Sequence, residues 1–111
     1  MFPARLRHSG GDFKKLDVYQ KAKNYNHLVY QFVIQNKDMD RTTRDQFQRA
    51  SFNIMLNLAE GSGKFSKPDR RNFYVIARGS FFECVAILDI LNSENLIPEE
   101  LFETLMNQSE E

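Results

Sequence analysis

From Leu16 onward, apolar side chains recur with a helical rhythm. Val18, Ala22, Tyr25, Val29 and Phe32 follow one another at intervals of 4, 3, 4 and 3, the stripe of a helix packed on one side. Leu28 and Val33 widen it. Asp12 is the expected N-cap, and the polar run Gln35-Asn36-Lys37-Asp38 the expected end. A second helix is predicted to begin near Asp40 or Thr42. Phe47, Ser51, Ile54, Leu58 and Gly61 repeat the same intervals, with Ala50, Phe52 and Met55 broadening the face. Gly61-Ser62-Gly63 should stop it, because glycine accepts the left-handed conformation common at helix C-termini.

The third helix carries the clearest pattern. Ser66 before Lys67-Pro68-Asp69 reads as an N-cap, with Asp69 completing a start that resembles a capping box, and proline in the first turn removes no intrahelical bond. Phe73, Ala77, Ser80, Cys84, Ile87 and Leu91 then run at 4, 3, 4, 3, 4, with Ile76, Glu83 and Ile90 as a second stripe alongside. About 25 residues of helix span roughly 37 Å. After Asn92-Ser93-Glu94-Asn95, Pro98 suits a first turn, and Leu101, Phe102, Leu105 and Met106 mark a shorter fourth helix. No segment sustains a period of two. The expected fold is all-α, an antiparallel up-and-down four-helix bundle. Residues 1–12, with Pro3, Ser9 and Gly10-Gly11, read as a mobile leader, and 13–111 as one domain.

Composition narrows the class. A chain of 111 residues that is 41% hydrophobic fits one globular domain rather than two, or a disordered chain. Its single cysteine, Cys84, can form no intramolecular disulfide, which points to a cytoplasmic location. No apolar run approaches the roughly 20 residues of a membrane-spanning helix, and residues 1–12 lack the apolar region of a secretory signal. The expectation is a soluble cytoplasmic protein without membrane contact.

Charge alters that bland picture. Fifteen Lys and Arg balance fifteen Asp and Glu, but they are segregated. Residues 1–40 net +3, residues 41–78 net +5, and residues 79–111 hold eight acids and no Lys or Arg. Either the acidic tail folds back onto the basic helices, or the molecule carries two oppositely charged surfaces for partners.

Three groups of residues are candidates for chemistry. Asn57, Glu60, Arg78, Ser80 and Glu83 interrupt the apolar stripes of helices two and three. Two carboxylates and an arginine invite an acid–base reading. Without a histidine, metal cluster or phosphate loop beside them, they read as a structural polar network that sets helix register, and the protein as a non-enzyme. Gly79 should mark close approach of helix two or of a neighbouring subunit. Cys84, on the inward stripe, reads as a small core residue rather than a nucleophile. His8 and His27 share no spacing for zinc. Gly61-Ser62-Gly63-Lys64 follows a helix rather than a strand and is no phosphate loop. No metal or cofactor is implied.

The basic residues are the stronger lead. Arg41 and Arg44 share one face of helix two, near its start, with Arg49 further along it. Lys64, Lys67, Arg70 and Arg71 surround the turn into helix three. Helix two separates the groups into patches at opposite ends of the bundle. Phe65, between Lys64 and Lys67, offers a face for stacking on a base or an apolar anchor for the next helix. Finally, Tyr19, Tyr30, Phe52, Tyr74, Phe81 and Phe82 are too many to fit seams already filled, so self-association is expected.

Certain blocks also carry a family resemblance. Phe13-Lys14-Lys15-Leu16-Asp17-Val18-Tyr19-Gln20-Lys21-Ala22 comes first, then Gln46-Phe47-Gln48-Arg49-Ala50-Ser51 and Asn57-Leu58-Ala59-Glu60-Gly61-Ser62-Gly63-Lys64. Phe73-Tyr74-Val75-Ile76-Ala77-Arg78-Gly79-Ser80 and Glu83 follow. In this order the chain resembles the four-helix-bundle proteins encoded in intervening sequences of bacterial 23S ribosomal RNA genes. The accessory variability proteins of diversity-generating retroelements share that superfamily. The resemblance implies a ring-like homopentamer with a central channel and, for the retroelement branch, binding of nucleic acid and of a reverse transcriptase. The functional expectation is a non-enzymatic homo-oligomer that binds RNA or DNA, or a nucleoprotein partner, through Arg41, Arg44, Lys64, Lys67, Arg70 and Arg71, with Phe65 stacking. The alternative is a protein–protein adaptor or structural ring with no nucleic-acid role.

Overall fold

A short 3-10 turn, Gly11–Lys15, leads into four helices: α1 (Asp17–Gln35), α2 (Arg41–Ser62), α3 (Lys67–Ser93) and α4 (Glu99–Ser109). The computed structural model describes residues 11–109, and no strand occurs among them. The leader expected over residues 1–12 lies outside the described residues as far as residue 10.

The local chemistry of the ends explains most boundaries. Asp12 falls within the turn Gly11–Lys15 and α1 begins only at Asp17, so Asp12 does not stand at the expected N-cap position. Leu16 takes the cap position instead, without a side-chain bond. Gln20 Nε2 donates to the Lys14 carbonyl at 2.6 Å, and Phe13 meets Tyr19 edge to face at 5.0 Å. Both contacts tie the turn to the helix. At the other end of α1, Asn36 Nδ2 donates back to the Phe32 carbonyl at 2.9 Å. Asp40 then caps α2, its Oδ2 accepting from the Thr43 amide at 3.1 Å. Ser66 caps α3 by accepting from the Asp69 amide at 3.2 Å, as its spacing predicted.

The C-terminal stops exchange roles relative to expectation. Gly63 ends α2 with φ −87°, on the right-handed side, and no described glycine has positive φ. The left-handed position falls at Asn95, φ 58°. There Leu96 N–H bonds to Leu91 O at 2.8 Å and Asn95 N–H to Asn92 O at 3.1 Å, the paired closure of a Schellman motif. Asparagine tolerates this conformation because its short polar side chain is accommodated there.

Phe47, Ala50, Ser51, Ile54, Leu58 and Gly61 are all buried along α2, matching its predicted stripe. Phe52, expected to broaden that face, is exposed, because it stands opposite the stripe at two residues' remove. On α3, Ala77, Ser80, Cys84 and Leu91 go inward as expected, joined by Leu88. The second stripe does not: Ile76, Glu83 and Ile90 are exposed. Ser51 is fully enclosed, and its hydroxyl donates to Asn26 Oδ1 at 2.6 Å, linking α2 to α1. Phe32 and Phe47 meet edge to face at 6.4 Å in the same layer.

α2 and α3 form the most extensive helix pair, with α1 on α2 and α4 against α3 and α1. Their closest approach is at Gly61. A Cβ there would lie 2.6 Å from Tyr74 Cε1 and 3.2 Å from Phe73 Cβ. Gly79 was expected to serve this purpose, but a Cβ at Gly79 meets nothing within 4 Å of it in the chain. Replacing each glycine by alanine should therefore have opposite effects in denaturant unfolding. Gly61→Ala lowers stability by about 1–2 kcal/mol through overpacking. Gly79→Ala raises it by up to about 1 kcal/mol through helix propensity. Loss of stability in Gly79→Ala would mean that something outside the chain packs there.

Candidate nucleic-acid interface

The basic residues separate in space as the helix directions require. Arg41 opens α2 and pairs with Asp45 on the next turn at 3.8 Å, with half-buried Arg44 close by. Lys64 and its neighbours lie beyond the other end of α2, about 33 Å away along a 22-residue helix. Arg49 is exposed on the outer side of the same helix.

Within the second patch the side chains have distinct tasks. Arg70 turns back to donate from Nη1 to the carbonyls of Lys64, at 3.1 Å, and Phe65, at 2.9 Å. It thereby holds the α2–α3 turn closed. Lys64 lies 3.8 Å from Glu60, with its ammonium 5.2 Å from the Phe73 ring centroid. Phe65 is 73% exposed, which favours the stacking role over an anchor in the core. Lys67 and Arg71 face outward.

Lys67, Arg70, Arg71, Tyr74, Val75 and Arg78 line a shallow groove of about 420 Å³ along the first half of α3. Arg78 and Tyr74 were not in the predicted basic set, although the signal was present. Lys67, Arg71, Tyr74 and Arg78 are spaced 4, 3 and 4, which puts them on one helix face. Among the described residues no carboxylate lies within 4.0 Å of Lys67, Arg71 or Arg78. Three ion pairs among the described residues, Asp17–Lys21, Arg41–Asp45 and Glu60–Lys64, each join residues four apart on one helix or at its end. Between described residues, no ion pair joins an acid of the last third of the chain to the basic helices.

The five residues of the expected polar network are not brought together. Asn57 Nδ2 donates to the Asn53 carbonyl on its own helix at 2.8 Å, and Glu60 goes to Lys64. The Arg78 guanidinium lies 5.8 Å from the Phe82 ring centroid. Ser80 is buried, and Glu83 is exposed. No hydrogen bond or ion pair joins any two of them. Gly61 sits level with Tyr74, so Glu60 and Glu83 are separated along α3 by nine residues' rise, about 13 Å. A shared proton-transfer site is not formed. The α1–α2 link falls instead to Ser51 and Asn26, a pair hidden from sequence reading because 25 residues separate them.

Apolar excess is the other surface feature. Tyr30, Phe52, Tyr74 and Phe82 are exposed. Tyr19 is half-buried against Phe13, and Phe81 against Tyr25. Val75, Phe82 and Ile90, at about half exposure or more, form with Gly79 and Ala86 an outer stripe on α3, opposite the inward one. A long helix that is apolar on both sides is characteristic of a buried position.

Four helices, one of them carrying a basic groove on one flank and an apolar stripe on its back, define an all-α class of small helical proteins. The chain belongs to the 23S rRNA-intervening sequence protein family, whose family model matches residues 14–111. No curated protein matches the chain. No helix among the described residues is long and apolar enough to cross a membrane.

Two side chains give direct tests of these assignments. Arg70→Ala should cost about 1 kcal/mol by freeing two carbonyls, whereas Arg71→Ala stays within about 0.5 kcal/mol; urea midpoints distinguish them. Cys84 is fully buried, and its thiol is pushed up from 9.0 to about 12, by burial first and by the Glu83 carboxylate second, against a hydrogen bond with Tyr25. Between those values the unfolded chain gives up a proton that the folded chain keeps. The stabilisation is thus whole below pH 9 and is lost as pH rises through the window. The midpoint should fall more steeply between pH 8 and 10.5 in the parent than in Cys84→Ala, and an aromatic disulfide should label the native thiol only on unfolding.

Proposed function

We propose that the protein is a non-enzymatic cytoplasmic homo-oligomer that binds nucleic acid, or a nucleoprotein partner such as a reverse transcriptase, through its basic surface. The observation that carries this reading is the row Lys67, Arg71 and Arg78, three cations on one helix face with no carboxylate within 4.0 Å among the described residues. Phosphates are the ligands that such a row attracts, and repetition of the row around a closed oligomer multiplies the field. Phe65 and Tyr74 supply aromatic faces beside it. Arg70 contributes charge to the groove while its guanidinium holds the turn, and Arg41 and Arg44 form a second, separate patch.

Self-association is favoured by the outer stripe of α3, and a homopentamer is the form that the family resemblance implies. An adaptor or purely structural ring would need the stripe but not the basic row. Light scattering should give a mass that is a multiple of the 13.0 kDa chain, and Phe82→Glu with Ile90→Glu should reduce it to the monomer. On the intact oligomer, single-stranded RNA or DNA should bind at low salt and be released steeply as salt rises. Lys67→Glu with Arg71→Glu should weaken that binding at least about tenfold. An oligomer that binds neither nucleic acid at low salt would leave the structural ring as the reading.

A further inference from the structure

Each member of the central helix pair keeps an uncovered outer face. On α3 it is the stripe of Val75, Phe82 and Ile90, each about half exposed or more. On α2, Asp45, Arg49, Phe52, Leu56 and Glu60 recur at intervals of 4, 3, 4 and 4, all exposed, on the side away from the buried residues. Phe52 and Leu56 are each about half exposed. A partner covering only the α3 stripe would leave these two in water.

The heights of the two faces match. A Cβ at Gly61 would meet Phe73 and Tyr74, so the antiparallel α2 and α3 are level there. Rise per residue is the same in both. Leu56 is therefore level with the span between Val75 and Phe82, and Phe52 with Phe82 itself. Arg49 is level with the span between Glu83 and Asp89, and Arg41 with Glu94. Arg49, Glu83, Asp89 and Glu94 are exposed, and none has an ion pair within 4.0 Å among the described residues. Each helix also carries at this end the charge that its dipole disfavours. α2 opens on Arg41 and Arg44 with no acid in its first turn. α3 runs past Asp89 with no base in its last turn. Brought face to face, each end offsets the other.

We propose that the outer face of α3 docks on the outer face of α2 in a second copy of this chain. Phe52 and Leu56 interleave with Val75, Phe82 and Ile90, while Arg49 meets Glu83 and Asp89 across the contact. This rests on the self-association reading above and assigns its two faces. Rotation about an axis parallel to the helices leaves every height unchanged, and a contact between two different faces repeats around a closed assembly. Lys67 and Arg71 stand beyond the level of Ser62, where the neighbour's α2 ends, so the contact leaves them open to phosphates.

Light scattering on the full chain over a concentration series tests the contact, with circular dichroism showing that each variant keeps its helices. Arg49→Glu and Glu83→Arg should each raise the concentration at which the assembly dissociates about tenfold. Together they restore opposite charges across the contact and should return that concentration to within about threefold of the parent. Leu56→Asp, which leaves α3 untouched, should raise it at least about tenfold. An oligomeric parent indifferent to both Arg49→Glu and Leu56→Asp overturns the α2 assignment and leaves self-association through α3 standing. Rescue of Glu83→Arg by Arg78→Glu rather than by Arg49→Glu also overturns it, because α3 would then pair with α3. A parent mass of 13.0 kDa at every concentration overturns self-association itself.

Discussion

Helices α2 and α3 lie as they do because Gly61 has no side chain: any Cβ there would collide with the Tyr74 ring. This one close approach fixes the axial register of the longest helix pair. It brings the start of α3 alongside the end of α2, where Arg70 can reach the Lys64 and Phe65 carbonyls. With Arg70 committed to the turn, Lys67, Arg71 and Arg78 project from a helix rather than from a loop. Tyr74, packed over Gly61, becomes the ridge between the basic groove and one between α1 and α3.

The second organising feature is the docking of α4 on the core and the groove between α1 and α3 beside it. α4 buries Leu105 completely and brings Leu101, Phe102 and Met106 against the core. Here Ala22, Leu58 and Ala77 remain at the bottom of a groove with aromatic sides. This groove gives concavity to a fold that otherwise offers convex helix surfaces, and concavity is where ligands bury most of their area.

Much of this was legible along the chain. The intervals 4, 3, 4, 3 located the inward residues of α2 without error at Phe47, Ser51, Ile54, Leu58 and Gly61, and Asp40 and Ser66 marked two helix starts. Those signals are local: a cap bonds three residues ahead, and a helix face repeats within one turn. Misreadings arose where two local signals were equally good. α3 has apolar residues on both sides, and periodicity cannot say which side meets α2. Gly61 and Gly79 are both helical glycines, and only one has a neighbour within the chain. The Glu60–Glu83 grouping failed because sharing two facing helices says nothing about height along them.

Sequence by itself therefore determined the number of helices, most of their ends, the segregation of charge and the family. The tertiary structure decided which stripe of α3 is core, that Arg70 holds a turn while Arg78 joins the basic row, and that a groove lies between α1 and α3. The physical reason is the range of the forces involved. Capping and periodicity act over one turn of backbone, whereas burial and charge pairing depend on register and length between helices distant in sequence. Those quantities exist only once the helices are packed.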